Sequence, residues 1–393
     1  MNSKPAEIAA WIRSRKSEFT ELLRKMVEME TPSTRPETME SIFTWFTDQF
    51  ESIGYRSVRI PGKDTAGQLL SIPSERRKNT PNQLLIGHCD TVWPLHTLKS
   101  MPCELKNGQM SGPGIYDMKA GLLEILFALK TIDHMGLKPE VTPVVFITSD
   151  EEIGSFESRS NIMRLSNIAD RCFVLEPALG IDGRIKTSRK GVGNYFITVH
   201  GKPAHSGLSP EQGRSAIVEM TYIIQMLYDL NDPEKGTTVN VGTIQGGERV
   251  NVIAAKSTIE VDVRIAKKEE ARKIDEAIRN IVPRSDGVSI TVEGGIDRMP
   301  MEKTKGTEIL WDRAQALGSR IGIKLADGMS GGASDGNLTN MVTPTLDGLG
   351  AVGDGAHAEH EHILIDETLN RAVLLTLLIL EPPLQIVNAP ESR

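Results

Sequence analysis

Three short apolar runs in this chain end in the same way. NQLLIGHCD (residues 82–90) closes on His88 and Asp90, VTPVVFITSDEE (141–152) closes on Glu151 and Glu152, and RCFVLEPA (171–178) closes on Glu176. Runs this short and this uniformly apolar predict strands buried on both faces, which means a mainly parallel sheet covered by helices. The helical pattern LLEILFALKTI (122–132) separates the first two runs and completes the strand–helix–strand order of an α/β protein. Open parallel sheets bind ligands at the carboxyl ends of their strands, and the polar residues collect there. Within the first run, His88 and Asp90 lie two residues apart and so share a face, with Cys89 on the other.

From about residue 189 the texture changes. NYFITVHG is strand-like, EQGRSAIVEMTYIIQMLYDL helical, TVNVGTIQGG and STIEVDVRIA strand-like, KEEARKIDEAIRNIV helical and VSITVEGG strand-like. That order predicts a ferredoxin-like α+β module. TEILWDRAQALGSRIG and the segment after it resume the earlier pattern, so the module reads as an insertion. The expected division is a catalytic domain of residues 1–188 and 300–393 and an inserted domain of residues 189–299. A chain of 393 residues is also too long for one ordinary core. The first 30 residues read as one amphipathic helix rather than a signal peptide, and AVLLTLLIL (372–380) as a buried helix too short to span a membrane. A formal charge of −7 disfavours a nucleic-acid partner. Cys89, Cys103 and Cys172 form no close-spaced pair, which fits a reducing cytosol. SGPGIYDMKAG (111–121) lacks the G-x-G-x-x-G spacing of a dinucleotide-binding turn and carries an acid where pyrophosphate would sit.

The candidate ligands are His88, Asp117, Glu151, Glu152, Glu176 and His357. Each alone has a bland explanation: a surface histidine, a turn aspartate, or acids at a helix N-terminus. Together they put imidazole and carboxylate at several strand ends of one sheet, a donor set that suits zinc and also cobalt or manganese. Two histidines and three carboxylates hold a pair of metals if one carboxylate bridges, leaving one acid as a base.

HCDTVWP, GPGIYDMKAG, TSDEEIGS, LEPA and GAHAEHE, in this order, resemble the co-catalytic dizinc exopeptidases, the family of glutamate carboxypeptidase, acetylornithine deacetylase, succinyl-diaminopimelate desuccinylase and aminoacylase-1. The resemblance covers nearly the whole chain and is closest to glutamate carboxypeptidase of the folate-cleaving type. It implies two zinc ions bridged by Asp117, one completed by His88 and Glu176, the other by Glu152 and His357. It also implies Glu151 as general base, Asp90 as the residue that orients His88, and a cis peptide at Asp117–Met118. In GKPAHSG, His205 matches the histidine that supports the oxyanion, often from a second subunit; a polar-loop residue is the alternative. Arg264 and Asn251 match substrate-binding positions, although Arg264 alternates with Glu260 and Asp262 on a strand and a salt-bridged sheet surface would look the same. Gly331 and Gly332, in SGGASDGN, are expected beside the substrate, where glycine allows close approach. His360 and His362 follow His357 closely; the spacing to Glu361 favours His357 as the ligand.

The function implied is hydrolysis of an amide next to a free carboxylate in a small N-acyl amino acid or peptide, releasing a C-terminal residue such as glutamate. A deacylase of the acetylornithine or aminoacylase type is the alternative, and a binding protein on the same scaffold is disfavoured because Glu151 is present. The family also implies a homodimer formed through the inserted domain.

Overall fold

The structure is a computed structural model and describes residues 3–76 and 79–385. Its contacts divide the chain into two compact units, residues 1–188, 303–329 and 334–393 in one and residues 189–302 and 330–333 in the other.

The first unit is built on a six-stranded mixed sheet in the order Tyr55–Ile60, Gln68–Pro73, Thr142–Thr148, Asn82–His88, Ala169–Val174, Thr345–Leu346. The last four are parallel to one another, and the first two add an antiparallel edge. Thr142–Thr148 is buried at every position, as the unbroken apolar run requires, whereas the edge strand Tyr55–Ile60 alternates between half-buried and exposed. Side-chain parity divides the core. Leu85, Val145, Ile147 and Phe173 pack with the helices Ala120–His134 and Ile365–Leu380, while Leu84, Ile86, Val144, Phe146 and Val174 pack on the opposite face with Ile162 and Leu338. The chain leaves the central strand Asn82–His88 for the neighbour on one side and then crosses to the other, which opens a crevice at the carboxyl ends.

A small antiparallel sheet has no clear signal in the sequence. It pairs Gln109–Ser111 with Glu104–Lys106 on one side and His362–Leu364 on the other, and His362–Leu364 in turn with Gly353–Asp354. Two- and three-residue strands carry too little periodicity to be read locally. The first 30 residues are also not one helix. Ser3–Ser14 and Lys16–Glu28 are separate, and Arg15 between them has φ −103° and ψ 22°. Among the described residues no helix is long and apolar enough to cross a membrane.

Helix Ala120–His134 begins hard against the backbone beside Glu176. A Cβ added at Gly121 would lie 2.0 Å from the carbonyl oxygen of Leu175. Alanine is the better helix former by about 1 kcal/mol, but overpacking against backbone costs about 1–3 kcal/mol. Gly121→Ala is therefore expected to lower the urea unfolding midpoint. An unchanged or raised midpoint would show that the contact yields.

The second unit is a four-stranded antiparallel sheet ordered Thr238–Gly246, Lys256–Ile265, Gly191–His200, Ser289–Arg298. With helices Ala216–Tyr228 and Lys268–Arg279 this is the ferredoxin-like arrangement. Tyr195, Ile197, Val199, Ile259, Val261 and Val263 meet Met220, Ile223, Ile274 and Ile278 in its core.

Candidate metal centre

His88 ends the central strand with its side chain buried. Its Nδ1 lies 3.0 Å from the carbonyl oxygen and 3.5 Å from the Oδ1 of Asp90. Both neighbours are acceptors, so Nδ1 carries the hydrogen and the Nε2 lone pair points away from the strand, the tautomer a metal ligand needs. The preceding apolar run stops at Gly87 because Met118 packs there: an added Cβ would lie 2.5 Å from its Cε and 2.7 Å from Cδ2 of Leu122.

Asp90 does more than orient a ring. Its carboxylate also accepts the backbone N–H of Glu151 at 3.3 Å and of Glu152 at 3.1 Å, and the hydroxyl of Ser33 at 2.8 Å. It thus fastens the turn after Thr142–Thr148 to the end of the neighbouring strand. Asp90→Asn is expected to lower metal affinity about 10–100-fold, the usual effect of losing an outer partner. Zinc titration of the apoprotein checks this, and an unchanged affinity would limit Asp90 to a packing role.

Asp117 stands in the loop Ile115–Lys119 with non-helical φ −113° and ψ 99°, and the Asp117–Met118 peptide is cis. Its two oxygens face opposite ways. Oδ1 is 3.1 Å from His88 Nε2, and Oδ2 is 3.6 Å from His357 Nε2. Glu176 Oε1 lies 3.5 Å from His88 Nε2, and Glu152 Oε2 lies 3.1 Å from His357 Nε2. Potential donor atoms of His88, Glu151 and Glu176 fall within 4.8 Å of one another, as do those of His88, Asp117 and Glu152. His357 sits at φ 61° in the turn between Gly353–Asp354 and His362–Leu364, and His362 instead turns its Nδ1 to the carbonyl of His360 at 2.9 Å.

The electrostatics call for positive charge. Burial disfavours a charged His88, but its hydrogen bonding to Asp117, Asp90 and Glu176 prevails and raises its pKa well above the usual imidazole range. Hydrogen bonding to Glu152 carries His357 up to about 9 against its partial burial. Burial raises Glu152, with the His357 hydrogen bond opposing it. Glu152 Oε1 is buried without a hydrogen-bond partner, the kind of unsatisfied acceptor a cation would occupy. The donor set of imidazole nitrogen and carboxylate oxygen fits a pair of divalent cations.

In the sequence Glu361 stands out only through its spacing from His357. Its buried carboxylate accepts Trp93 Nε1 at 2.8 Å and the backbone N–H groups of Gly114 at 2.9 Å, Tyr116 at 2.9 Å and Asp117 at 3.1 Å. Burial pushes it up to about 7, and the N–H groups of Asp117 and Gly114 pull against that. No local signal marks a residue whose partners lie between 244 and 268 positions away.

The remaining expected site residues lie in the second unit. His205 Nδ1 accepts the N–H groups of Gly207 and Leu208, both at 3.2 Å, which puts the ring hydrogen on Nε2. Asn251 is its near neighbour, its carbonyl accepting the Ser206 N–H at 3.1 Å. Arg264 gives Nε and Nη2 to the carboxylate of Asp262, each at 2.9 Å, so its guanidinium is already paired along its own strand. Cβ atoms built at Gly331 and Gly332 would meet nothing within 4 Å, so no packing within the chain demands glycine there. Arg189 Nη1 holds the loop through the carbonyls of Gly332 and Ala333, both at 3.2 Å.

Residues 187–287 match the family model described as the peptidase dimerisation domain. Carboxypeptidase G2 of Pseudomonas sp. (strain RS-16) is 26% identical over 376 residues, covering 91% of this chain and 88% of that one. The chain is thus similar over most of its length to M20-family peptidases. That likeness supports a peptidase or amidohydrolase enzyme. Solved structures agree in fold. Aminopeptidase PepT of Bacillus cereus ATCC 10987 superposes with TM-score 0.76 at 21% identity, over 93% of this chain and 98% of that one. The YXEP protein of Bacillus subtilis, a dinuclear metal-binding peptidase of the M20 family, superposes with TM-score 0.66 at 15% identity, over 94% and 98%.

Proposed function

We propose that this chain is a dizinc carboxypeptidase that hydrolyses an amide next to a free carboxylate and releases a C-terminal amino acid such as glutamate. The observation that carries it is the two-sided placement of Asp117, whose separate oxygens face His88 and His357. In this reading Asp117 would bridge the two ions, His88 and Glu176 would complete one zinc position, and Glu152 and His357 would complete the other. The pair of ions, when bound, supplies Lewis acidity and brings a water close to ionising at neutral pH. Glu151 takes the proton of that water and passes it to the leaving nitrogen. Asp90 holds both the His88 ring and the Glu151–Glu152 backbone in register for this. We assign His205, with its ring hydrogen on Nε2, the donation to the developing oxyanion, a role worth about 3–4 kcal/mol in comparable sites. Arg264 is assigned to the substrate carboxylate and Asn251 to substrate binding, with Nε and Nη2 of Arg264 already engaged by Asp262. Gly331 and Gly332 are assigned to the substrate wall. The similarity to carboxypeptidase G2 favours carboxypeptidase over deacylase chemistry, and the dimerisation domain supports a homodimer.

The deciding experiment is amide hydrolysis by the purified protein against pteroyl- and benzoyl-glutamates, N-acetylornithine and other N-acyl amino acids, after chelation and with zinc restored. Zinc-dependent release of glutamate is the expected result. Preference for the acetylated substrates would place the chain among the deacylases, and turnover undiminished by complete chelation would overturn the metal reading.

A further inference from the structure

The ligands assigned above come from segments far apart in sequence, and two of these, the Asp117 loop and the His357 turn, are not consecutive strand ends of the main sheet. Their relative position therefore needs a fastening of its own. The small sheet supplies part of it by pairing His362 with Ser111 and Ile363 with Met110. Glu361, next to that pairing, supplies the rest. Its Oε2 takes Trp93 Nε1 and Gly114 N, and its Oε1 takes Tyr116 N and Asp117 N. Trp93 lies three residues beyond Asp90, and Glu361 closes the turn that holds His357 by giving its own N–H to Ala358 O at 2.9 Å.

We infer that Glu361 is a positioning residue that fixes Asp117 against His357 and thereby sets the affinity of the metal position these two share. This rests on the dinuclear reading above. The chemistry of the carboxylate makes the claim specific. Each oxygen faces two N–H donors, so both must act as acceptors. In Glu361→Gln one of the two becomes an NH2 group facing N–H groups, although size and shape are kept. His357 lies in the turn that Glu361 closes, whereas His88 and Glu176 come from strand ends of the main sheet, so the loss should fall more heavily on the position that His357 completes.

The test is titration of the apoprotein with zinc by calorimetry, with metal content after gel filtration, for wild type, Glu361→Gln and Trp93→Phe. Unfolding of the metal-free proteins is followed alongside. Wild type is expected to bind two zinc ions per chain. Glu361→Gln should retain one with near wild-type affinity and bind the other about 10–100-fold more weakly. Trp93→Phe, which removes one donor and leaves the carboxylate in place, should weaken the same position by a smaller factor. Two sites of wild-type affinity in Glu361→Gln would overturn the inference, as would equal weakening of both. If Glu361→Gln does not fold, Trp93→Phe decides by the same selective weakening or its absence. A wild type that binds no zinc would instead overturn the dinuclear reading itself.

Discussion

Glu151→Gln is expected to lower kcat for the best amide substrate by about 10²–10⁴-fold, the range that a positioned general base contributes, while two zinc ions per chain remain. The carboxylate stands beside the assigned ligands, within 4.8 Å of donor atoms from His88 and Glu176, so proximity alone does not separate a base from a ligand. The neighbouring residue makes the distinction. Glu152 reaches His357 at 3.1 Å and leaves its other oxygen unsatisfied, which is the posture of a ligand. The Asp90 carboxylate accepts the backbone N–H of both residues, and in the proposed reading Glu151 is the group that transfers the proton. Glutamine keeps the shape and cannot take the proton. Loss of activity together with loss of metal would reassign Glu151 as a ligand, and full activity would remove it from the mechanism.

Asp117→Asn should be more damaging to metal content than any other single change. The two oxygens of the carboxylate face different histidines of the cluster, His88 at 3.1 Å and His357 at 3.6 Å. The amide would turn an NH2 group towards one half and lower the negative charge available to both. The variant is expected to lose metal at both positions, with an affinity decrease beyond the roughly 10–100-fold that outer partners command, and to lose amide hydrolysis with it. His357→Ala, by contrast, should lose one ion. Metal per chain after gel filtration separates these outcomes. Retention of one ion in Asp117→Asn would mean that Asp117 serves a single position and that another carboxylate bridges.

The legible part of this protein is the part written in short-range pattern. Uninterrupted apolar runs identify the parallel strands because such strands are buried on both faces, and the residues just past them, His88, Asp90, Glu151, Glu152 and Glu176, fall at one end of one sheet for the same reason. Alternation along Gly191–His200 and Lys256–Ile265 gives the second unit, since a sheet with helices on one face repeats every two residues. Arg264 shows the limit of that pattern. The alternation gives its face, but only the fold shows its guanidinium engaged by Asp262.

What the tertiary structure decided is how the Asp117 loop meets the His357 turn. The strands that join them are two or three residues long, and Glu361 is about 250 residues from the N–H groups it accepts. Local propensity cannot specify such contacts, because hydrogen bonds between distant segments form only after the chain has paid the entropy of closing the loop between them. Asp90 is the intermediate case. Its pairing with His88 follows from a two-residue spacing, whereas its hold on the Glu151–Glu152 turn exists only because Asn82–His88 and Thr142–Thr148 are neighbours in the sheet. The sequence by itself placed His88, Asp90, Glu151, Glu152 and Glu176 at the strand ends, and the fold alone set their distances to Asp117 and His357.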